Sequence, residues 1–407
     1  MENLKHEIKD TKGCGKRCHA SRLASKKTRV SGLTSHVRAS WPKVKLGTIC
    51  SRVTSGGTPS TKRPEYYGGT IPWLRTQEVD FKPIYSTELF ITEDGLNNSS
   101  AKWIPENTVI VAMYGATAGR SAITKIALTT NQACCNLIID EAQADYRFVY
   151  YSLRLRYEEL EGLAKGSAQT NLNAGIIKEF EIPLPPLPVQ RRIADILSAY
   201  DDLIENNRRR IAILEETARL AYRKWFGGED RSNEWEVHKV SEVLESFSRP
   251  KRVPKESYIT DGAYPCIDQG KDFIGGYTND EEAIVRRLPA IVFGDHTRVL
   301  KYVSEPFACG ADGTQLLYAK DGVLTQSYLY CALKEIDLTN YFYARHFKIL
   351  KSKEVFVPSY SIVKQFTDEV SCNLELISVL RKHGVRLAAA RDMLLPRLMN
   401  NKLRKDA

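Results

Sequence analysis

The chain has 407 residues, 43% of them hydrophobic, and a formal net charge of +10, which is enough material for two or three domains with real cores. It has no apolar run of about eighteen residues, so we expect no membrane-spanning helix, and its first residues lack the apolar centre of a secretory signal. Nine scattered cysteines favour a reducing cytoplasm. The basic charge favours a polyanionic partner.

Residues 1–40 hold ten Lys or Arg and three Asp or Glu, and thus most of the net charge. They are rich in Ser, Thr and Gly and show no hydrophobic period, which predicts a disordered or loosely attached basic tail. Cys14, Cys18 and His19 suggest half of a zinc site, but no second ligand pair follows, so we predict no metal there. Because the rest of the chain is nearly neutral, a nucleic-acid-binding surface in it must be local.

Residues 41–186 are predicted to form a first globular block. Trp41 precedes a period-two pattern of apolar and polar residues, which is typical of a half-buried strand. Gly-rich loops at 55–60, 66–69 and 114–119 then separate the predicted elements. These are strands at 71–74, 109–113 and 135–139, followed by a helix at 146–162. The pattern indicates an α+β fold with long loops, not a doubly wound sheet.

The loops of this block carry side chains that suit DNA readout. The block has no Walker A loop and no Rossmann glycine pattern after a strand. Its loops combine Asn, Gln, Arg, Ser and Thr, which can bind base edges, with Gly, which lets a backbone approach a phosphate closely. Ordinary solvated turns are the alternative interpretation. The candidate DNA-binding residues are Thr58, Ser60, Arg75, Gln77, Thr117, Asn131, Gln132, Gln169 and Asn171.

Residues 187–227 are predicted to form one long central helix. The Pro-rich segment 182–188 launches it and Gly227 caps its end. Packable residues then recur at spacings of four and three, which is a heptad seam, and one polar residue in such a seam fixes register. A long core helix of a single domain is the alternative, which the regular seam argues against. The seam residues are Ile193, Leu197, Tyr200, Ile204, Asn207, Ile211 and Leu214.

Residues 228–361 repeat the first block with different loops. Trp235 restarts the pattern, and "AIVFGDHTRVLKYV" takes the place of "VIVAMYGATAGRSAI". Two identical readers would bind a palindrome, so a shared framework with divergent loops predicts two different half-sites. The candidate DNA-binding residues of this block are Arg249, Lys251, Arg252, Gln269, Lys271, His296, Arg298 and Gln315.

Residues 362–407 are predicted to form a second long helix with a less regular seam. Its seam residues are Ile377, Leu380, Leu387, Leu394 and Leu398. Gly384 and Arg391 interrupt the seam, and Pro396 should end or kink the helix. A helical seam in a single chain needs a partner, so we expect the two long helices to pair as an antiparallel coiled coil. This pairing would send the two blocks to opposite ends.

With these segments taken together, the chain resembles the specificity subunits of type I restriction–modification systems. The resemblance rests on "GGTPS", "IPWLRTQEV", "YGATAGR", "TNQACC", the segment "IPLPPLPVQRRIADILSAYDDLIENNRRRIAILEETARLAYRKWF" and the terminal "LAAARDMLLPRLMNNKL". It covers residues 41–407, but the second half lacks a counterpart of "PLPPLPVQ", and the basic tail has no family role.

The resemblance implies a non-catalytic, cytoplasmic subunit that binds double-stranded DNA. The two blocks would be target recognition domains, each reading half of a bipartite site, and the helices would set the spacing. Two modification (methyltransferase) subunits would dock on the helices, and restriction (translocase and nuclease) subunits would complete the complex. It implies no cofactor on this chain, and S-adenosylmethionine, ATP and Mg on the partner subunits. The alternatives are a structural coiled-coil adaptor without DNA readout, or a fragment of a combined restriction and methylation enzyme.

Overall fold

The computed structural model describes residues 41–165, 171–227, 235–248, 250–339 and 345–400. The predicted basic tail, with its three candidate zinc ligands, lies outside these residues. The residues described below belong to one compact unit, Pro42–Ala407. We call residues 42–186 head 1 and residues 235–359 head 2. No helix in the described ranges is long and apolar enough to cross a membrane.

Head 1 contains eleven strands among its described residues. They are β1 (Lys43–Lys45), β2 (Cys50–Ser55), β3 (Tyr67–Leu74), β4 (Pro83–Ile84), β5 (Leu89–Ile91), β6 (Trp103–Ile104), β7 (Val109–Ala112), β8 (Ser121–Thr124), β9 (Leu128–Thr130), β10 (Cys134–Ile139) and β11 (Glu181–Pro183). Its helices are α1 (Glu93–Asn97), α2 (Tyr146–Leu155), α3 (Tyr157–Lys165) and α4 (Ala174–Glu179).

Two mixed sheets form the body of head 1. One has the strand order β2-β10-β7-β8-β4 and the other β5-β3-β9-β6, with β3 parallel to β9. Every residue of β7 is buried, as expected for an apolar strand covered on both faces. A separate pair, β1 with β11, joins the start of the head to its end. The end of the head is thereby held at the start of the first long helix.

The two long helices are α5 (Leu187–Phe226) and α9 (Tyr360–Met399), each of 40 residues. Gly227 ends α5 by donating its N–H to the carbonyl of Arg223, at 2.8 Å. Contacts between the helices run in opposite order along the two sequences: Tyr222 stacks edge-on with Phe366, and Asn207 lies 3.3 Å from His383. The helices are therefore antiparallel, and the predicted α+β architecture with two paired long helices is confirmed.

The predicted seam residues are not equally buried. Those that are buried are Ile193, Leu197, Asn207, Ile377, Leu380 and Leu398, and those that are half-buried are Tyr200, Ile204, Ile211, Leu214, Leu387 and Leu394. Arg391, which the sequence pattern treats as an interruption, is 7% exposed and donates a hydrogen bond to the equally buried Asp201. The last part of the seam therefore keeps the predicted Leu398, with Arg391 and Leu395 more deeply buried than Leu387 and Leu394.

Head 2 contains nine strands among its described residues. They are β12 (Glu236–Lys239), β13 (Tyr264–Ile267), β14 (Gly276–Thr278), β15 (Ile284–Val285), β16 (Ala290–Gly294), β17 (Leu300–Val303), β18 (Phe307–Cys309), β19 (Thr314–Leu317) and β20 (Glu354–Val357). Its helices are α6 (Val240–Val243), α7 (Gln326–Lys334) and α8 (His346–Ser352).

The sheets of head 2 repeat those of head 1. The order β14-β13-β18-β15 matches β5-β3-β9-β6, again with a parallel central pair, and β17-β16-β19 matches β8-β7-β10. The pair β12 with β20 closes the head as β1 with β11 does in head 1. An aromatic core of Tyr222, Phe226, Tyr328 and Phe366 then attaches head 2 to both long helices.

One predicted helix is divided in two, and one of the two effects predicted for Pro396, the end of its helix, is not observed. The helix predicted over 146–162 is two helices, because α2 ends at Leu155. Arg156 caps it there: its N–H bonds to two carbonyls and its side chain bonds to Ser152. Pro396 does not end α9, which continues to Met399. A proline removes one backbone donor, and in the last turn that loss is small beside the burial of Leu398 and Met399.

Candidate nucleic-acid interface

Backbone hydrogen bonds gather the predicted reading loops of head 1 at one edge. The N–H of Gly57 bonds to the carbonyl of Thr130, and the N–H of Asn131 bonds to that of Leu74, both at 2.9 Å. The Thr117 hydroxyl donates to the carbonyl of Thr76 at 2.7 Å. Leu172 N–H bonds to Met113 at 2.9 Å, which brings in the segment around Asn171. Five loops that are distant in sequence thus lie side by side.

The predicted residues of this edge divide into exposed groups and positioning groups. Ser60, Gln77 and Asn171 are exposed, and the exposed Thr58 donates a hydrogen bond to Gln132. The Thr117 hydroxyl is held by its hydrogen bond to the carbonyl of Thr76, and the Asn131 side chain accepts a hydrogen bond from the Cys134 thiol at 3.3 Å. Gln169 lies outside the described residues. The edge therefore presents amide and hydroxyl groups, which suit hydrogen bonding to base edges.

The turn at Arg75 is fixed by the half-buried carboxylate of Glu78. Glu78 accepts hydrogen bonds from the backbone N–H groups of Arg75, at 3.2 Å, and Glu88, at 2.8 Å. Burial raises the pKa of Glu78. The Arg75 guanidinium lies 3.2 Å from the Glu88 carboxylate, so this predicted phosphate or base contact already has a partner within the protein.

Close backbone packing explains why Gly56 and Gly57 of the first loop are glycines, and the sequence alone did not reveal this. A Cβ added to Gly56 would lie 1.9 Å from the Thr130 carbonyl oxygen, and one added to Gly57 would lie 2.3 Å from the Ala101 nitrogen. Distances this short exclude any side chain at either position. Gly56 and Gly57 therefore allow close packing within head 1, and the sequence interpretation, in which glycine serves to approach a phosphate, is not needed to explain them.

The same hydrogen bonds recur in head 2. Gly310 N–H bonds to Ile267 at 3.0 Å, as Asn131 does to Leu74, and Val253 N–H bonds to Cys309 at 3.0 Å, as Gly57 does to Thr130. The Thr297 hydroxyl donates to the carbonyl of Gln269 at 2.6 Å, which repeats the bond from Thr117 to Thr76. The two reading edges therefore share one backbone framework.

Several predicted residues of head 2 hold its loops in place. The Gln269 side chain accepts a hydrogen bond from the N–H of His296 at 3.1 Å, and Arg252 donates to the carbonyl of Ala311 at 3.0 Å. Arg298, with a left-handed φ of 63°, donates to the carbonyl of Leu338 at 3.0 Å. Gln315 is half-buried within β19, the His296 side chain is exposed, and Arg249 lies outside the described residues.

The predicted lysines of head 2 are paired with acids. Lys251 lies 2.8 Å from Asp280 and 3.2 Å from Glu282, and its hydrogen bonds to them raise its pKa. Lys271 lies 3.5 Å from Glu88, the acid that also binds Arg75. One head 1 carboxylate thus lies between a cation of each head. Phosphates that bind here would have to compete with it.

One functional candidate escaped the sequence reasoning. Lys301 on β17 is 4% exposed, and its ammonium group bonds to the backbone of the loop that carries Gln269. The sequence did contain a signal for it. Lys301 stands between Leu300 and Tyr302, at a position whose side chain faces the interior of the head, where a lysine is unusual. In the part of the chain that the structure describes, no three His, Cys, Asp or Glu side chains are grouped as metal ligands.

Comparison with known proteins agrees with this architecture. The family model of the type I restriction modification DNA specificity domain matches residues 39–216. The type I restriction enzyme MjaIX specificity subunit of Methanocaldococcus jannaschii is 29% identical over 409 residues, which cover 89% of this chain and 94% of that protein. The EcoR124I/EcoR124II specificity subunit of Escherichia coli is 29% identical over 154 residues, 36% of this chain and 38% of that protein.

A solved structure shares the fold. The crystal structure of a type I restriction–modification system S subunit from M. genitalium superposes with a TM-score of 0.53 at 20% identity, covering 90% of this chain and 98% of that one. Together with the matched domain and the full-length relative, this makes the chain similar in sequence and in fold to the type I restriction–modification specificity subunits.

Proposed function

We propose that the chain reads a bipartite, asymmetric site on double-stranded DNA, with one half read by each head. The observation that carries this proposal is the shared backbone framework of the two reading edges, which presents different residues at equivalent positions. From head 1 to head 2 the pairs are Gly57 and Val253, Arg75 and Asp268, Thr76 and Gln269, and Asn131 and Gly310. Identical edges would suit a palindrome, whereas these edges suit two unlike half-sites.

Substituting one exposed residue in each head tests this proposal, and each variant serves as the control for the other. Gln77→Ala should relax base preference in one half-site and His296→Ala in the other half-site only. A lost base contact should cost about 1–3 kcal/mol at its position. The measurement is mapping of methylated sites in a host that carries the chain and its partner subunits. Equal weakening on every sequence would contradict base readout and favour an adaptor role.

We also propose that the outer faces of the long helices dock two copies of a modification subunit. The sequences of α5 and α9 can be aligned from their first residues, Leu187 and Tyr360. In this alignment the exposed Leu203 of α5 corresponds to the exposed Leu376 of α9, and the exposed Leu220 corresponds to the exposed Met393. Exposed apolar residues that occur in such related pairs fit two copies of one partner, because each copy can bind an equivalent patch.

Charged substitutions on the two helices test the docking surface. Leu203→Asp and Leu376→Asp should each reduce the bound modification subunits from two to one, measured by native mass spectrometry. Val237→Asp, at a residue 52% exposed in head 2, is the matched control. Retention of two copies by both helix variants would rule out this surface.

In the assembly proposed here, the chain supplies recognition and its partners supply chemistry. S-adenosylmethionine would bind to the modification subunits, and ATP and Mg to the restriction subunits. The chain alone, incubated with S-adenosylmethionine and site DNA, should transfer no methyl group, and addition of the modification subunit should restore transfer. Methyl transfer by the purified chain would instead support a catalytic role.

A further inference from the structure

Lys301 bridges the two ends of one reading loop of head 2. Its ammonium nitrogen donates to the carbonyl oxygens of Asp268, at 2.8 Å, and Asp272, at 2.5 Å, and lies 3.4 Å from that of Phe273. The three N–H groups of an ammonium thus meet three carbonyl oxygens of one short loop. The Asp268 carboxylate is further away, at 3.9 Å, so the backbone is the main partner.

The burial of this lysine is unfavourable without those bonds. Burial lowers the pKa of Lys301 to about 8, against the attraction of Asp268 and Asp272. A buried cation is costly unless it is well bonded, and an apolar side chain would suit the interior of β17 better. Lys301 instead ties together the backbone carbonyls at the two ends of the loop 268–273.

The bridged loop, residues 268–273, carries two of the predicted reading residues, Gln269 and Lys271. Neighbouring glycines let it pack directly on backbone. A Cβ added to Gly294 would lie 2.9 Å from the Cβ of Gln269, and one added to Gly310 would lie 2.6 Å from the Cβ of Asp268. The loop is therefore seated against its neighbours, with Lys301 joining its start to its end.

The described residues of head 1 show no such bridge. Ala112 and Gly294 make the same backbone hydrogen bond across their hairpins, so the two hairpins can be superposed there. The strand partner of Ile110 is then Ala122, and that of the equivalent Val292 is Lys301. Ala122 offers only a buried methyl group. In head 1 the corresponding turn is closed by Glu78 instead.

We propose that Lys301 is a positioning residue for DNA recognition by head 2. By joining both ends of the loop 268–273, it holds Gln269 and Lys271 in the arrangement that matches their half-site. This inference rests on the proposed reading of DNA by the two heads and adds a residue that determines specificity without touching DNA.

The test compares the recognition profiles of three variants of the full chain, each assembled with its partner subunits. Lys301→Met, Gln269→Ala and Tyr302→Phe are profiled by methylation mapping on a library randomised in both half-sites. Lys301→Met should lose about tenfold in preference at the same base positions as Gln269→Ala, with the other half-site unchanged. Tyr302→Phe removes a hydrogen bond to Ser327 from the neighbouring residue of β17 and should keep the unaltered profile.

A second measurement separates positioning from loss of fold. Hydrogen–deuterium exchange of Lys301→Met should speed up in residues 268–273 and stay unchanged in head 1. An unaltered profile, unaltered exchange in the loop, or loss spread over both half-sites would each overturn the inference. If the unaltered chain shows no bipartite preference, the proposed function itself fails. If it shows one and Lys301→Met keeps it, only this inference fails.

Discussion

The buried pair of Asp201 and Arg391 allows a quantitative test of the helix packing. Both side chains are 7% exposed. Arg391 bonds to one carboxylate oxygen of Asp201, and the Tyr151 hydroxyl donates to the other at 2.5 Å. Arg391→Met should cost about 3–5 kcal/mol, because it leaves a buried carboxylate without its cation. Asp201→Leu should cost less, about 1–3 kcal/mol, because Arg391 keeps its hydrogen bonds to Asp392, at 2.9 and 3.1 Å.

The double variant Asp201→Leu/Arg391→Met should cost clearly less than the sum of the two single variants. Replacing a buried ion pair by apolar residues of similar volume is often neutral or stabilising, and here the remaining cost is the unpaired Tyr151 hydroxyl, about 1–3 kcal/mol. Native-state hydrogen exchange near the end of α9 measures the local opening free energy. Arg208→Ala, which breaks an exposed pair with Glu205 on α5, is the control and should change little. Additive costs, or an Arg391→Met cost under about 1 kcal/mol, would refute the reasoning.

Two further outcomes follow from the packing of head 2. Phe226→Ala should destabilise head 2 by about 3–5 kcal/mol, seen in the unfolding fluorescence of the adjacent Trp225 and Trp235, whereas the exposed Leu220→Ala should change it little. Because the pKa of Lys301 is lowered from 10.5 to about 8, the folded chain binds fewer protons than the unfolded chain between these values. The stability of the unaltered chain relative to Lys301→Met should therefore rise with pH across this window in urea titrations, and a flat difference would contradict it.

The long helices could be read from the sequence because their signals are local. The Pro-rich segment 182–188 begins α5, Gly227 ends it, and the heptad spacing marks its inner face. The repeat itself was also visible, since Trp41 and Trp235 each precede the first strand of a head, β1 and β12. Local signals of this kind do not depend on the packing of the rest of the chain.

The partners of individual polar side chains could not be predicted. Arg298 was a candidate DNA-binding residue, and its guanidinium bonds to the carbonyl of Leu338, forty residues further on. Arg391 looked like a defect of the seam, yet it completes a pair with Asp201, 190 residues away. Such bonds depend on how strands and helices pack after folding, and side-chain type alone gives only a set of possible partners.

The pair Asp201 and Arg391 also shows that the two long helices, although they correspond to each other, are not equivalent. When Leu187 is superposed on Tyr360, Asp201 falls on Leu374 and Arg391 falls on Ala218, both apolar and buried. This buried ion pair therefore lies at the end that carries head 1, while aromatic side chains fill the end that carries head 2. If α5 paired with a second α5 in this register, Asp201 would face Ala218 and lack its cation. A buried charge without a partner is strongly unfavourable, so this layer favours the pairing of α5 with α9, which keeps one copy of each head together.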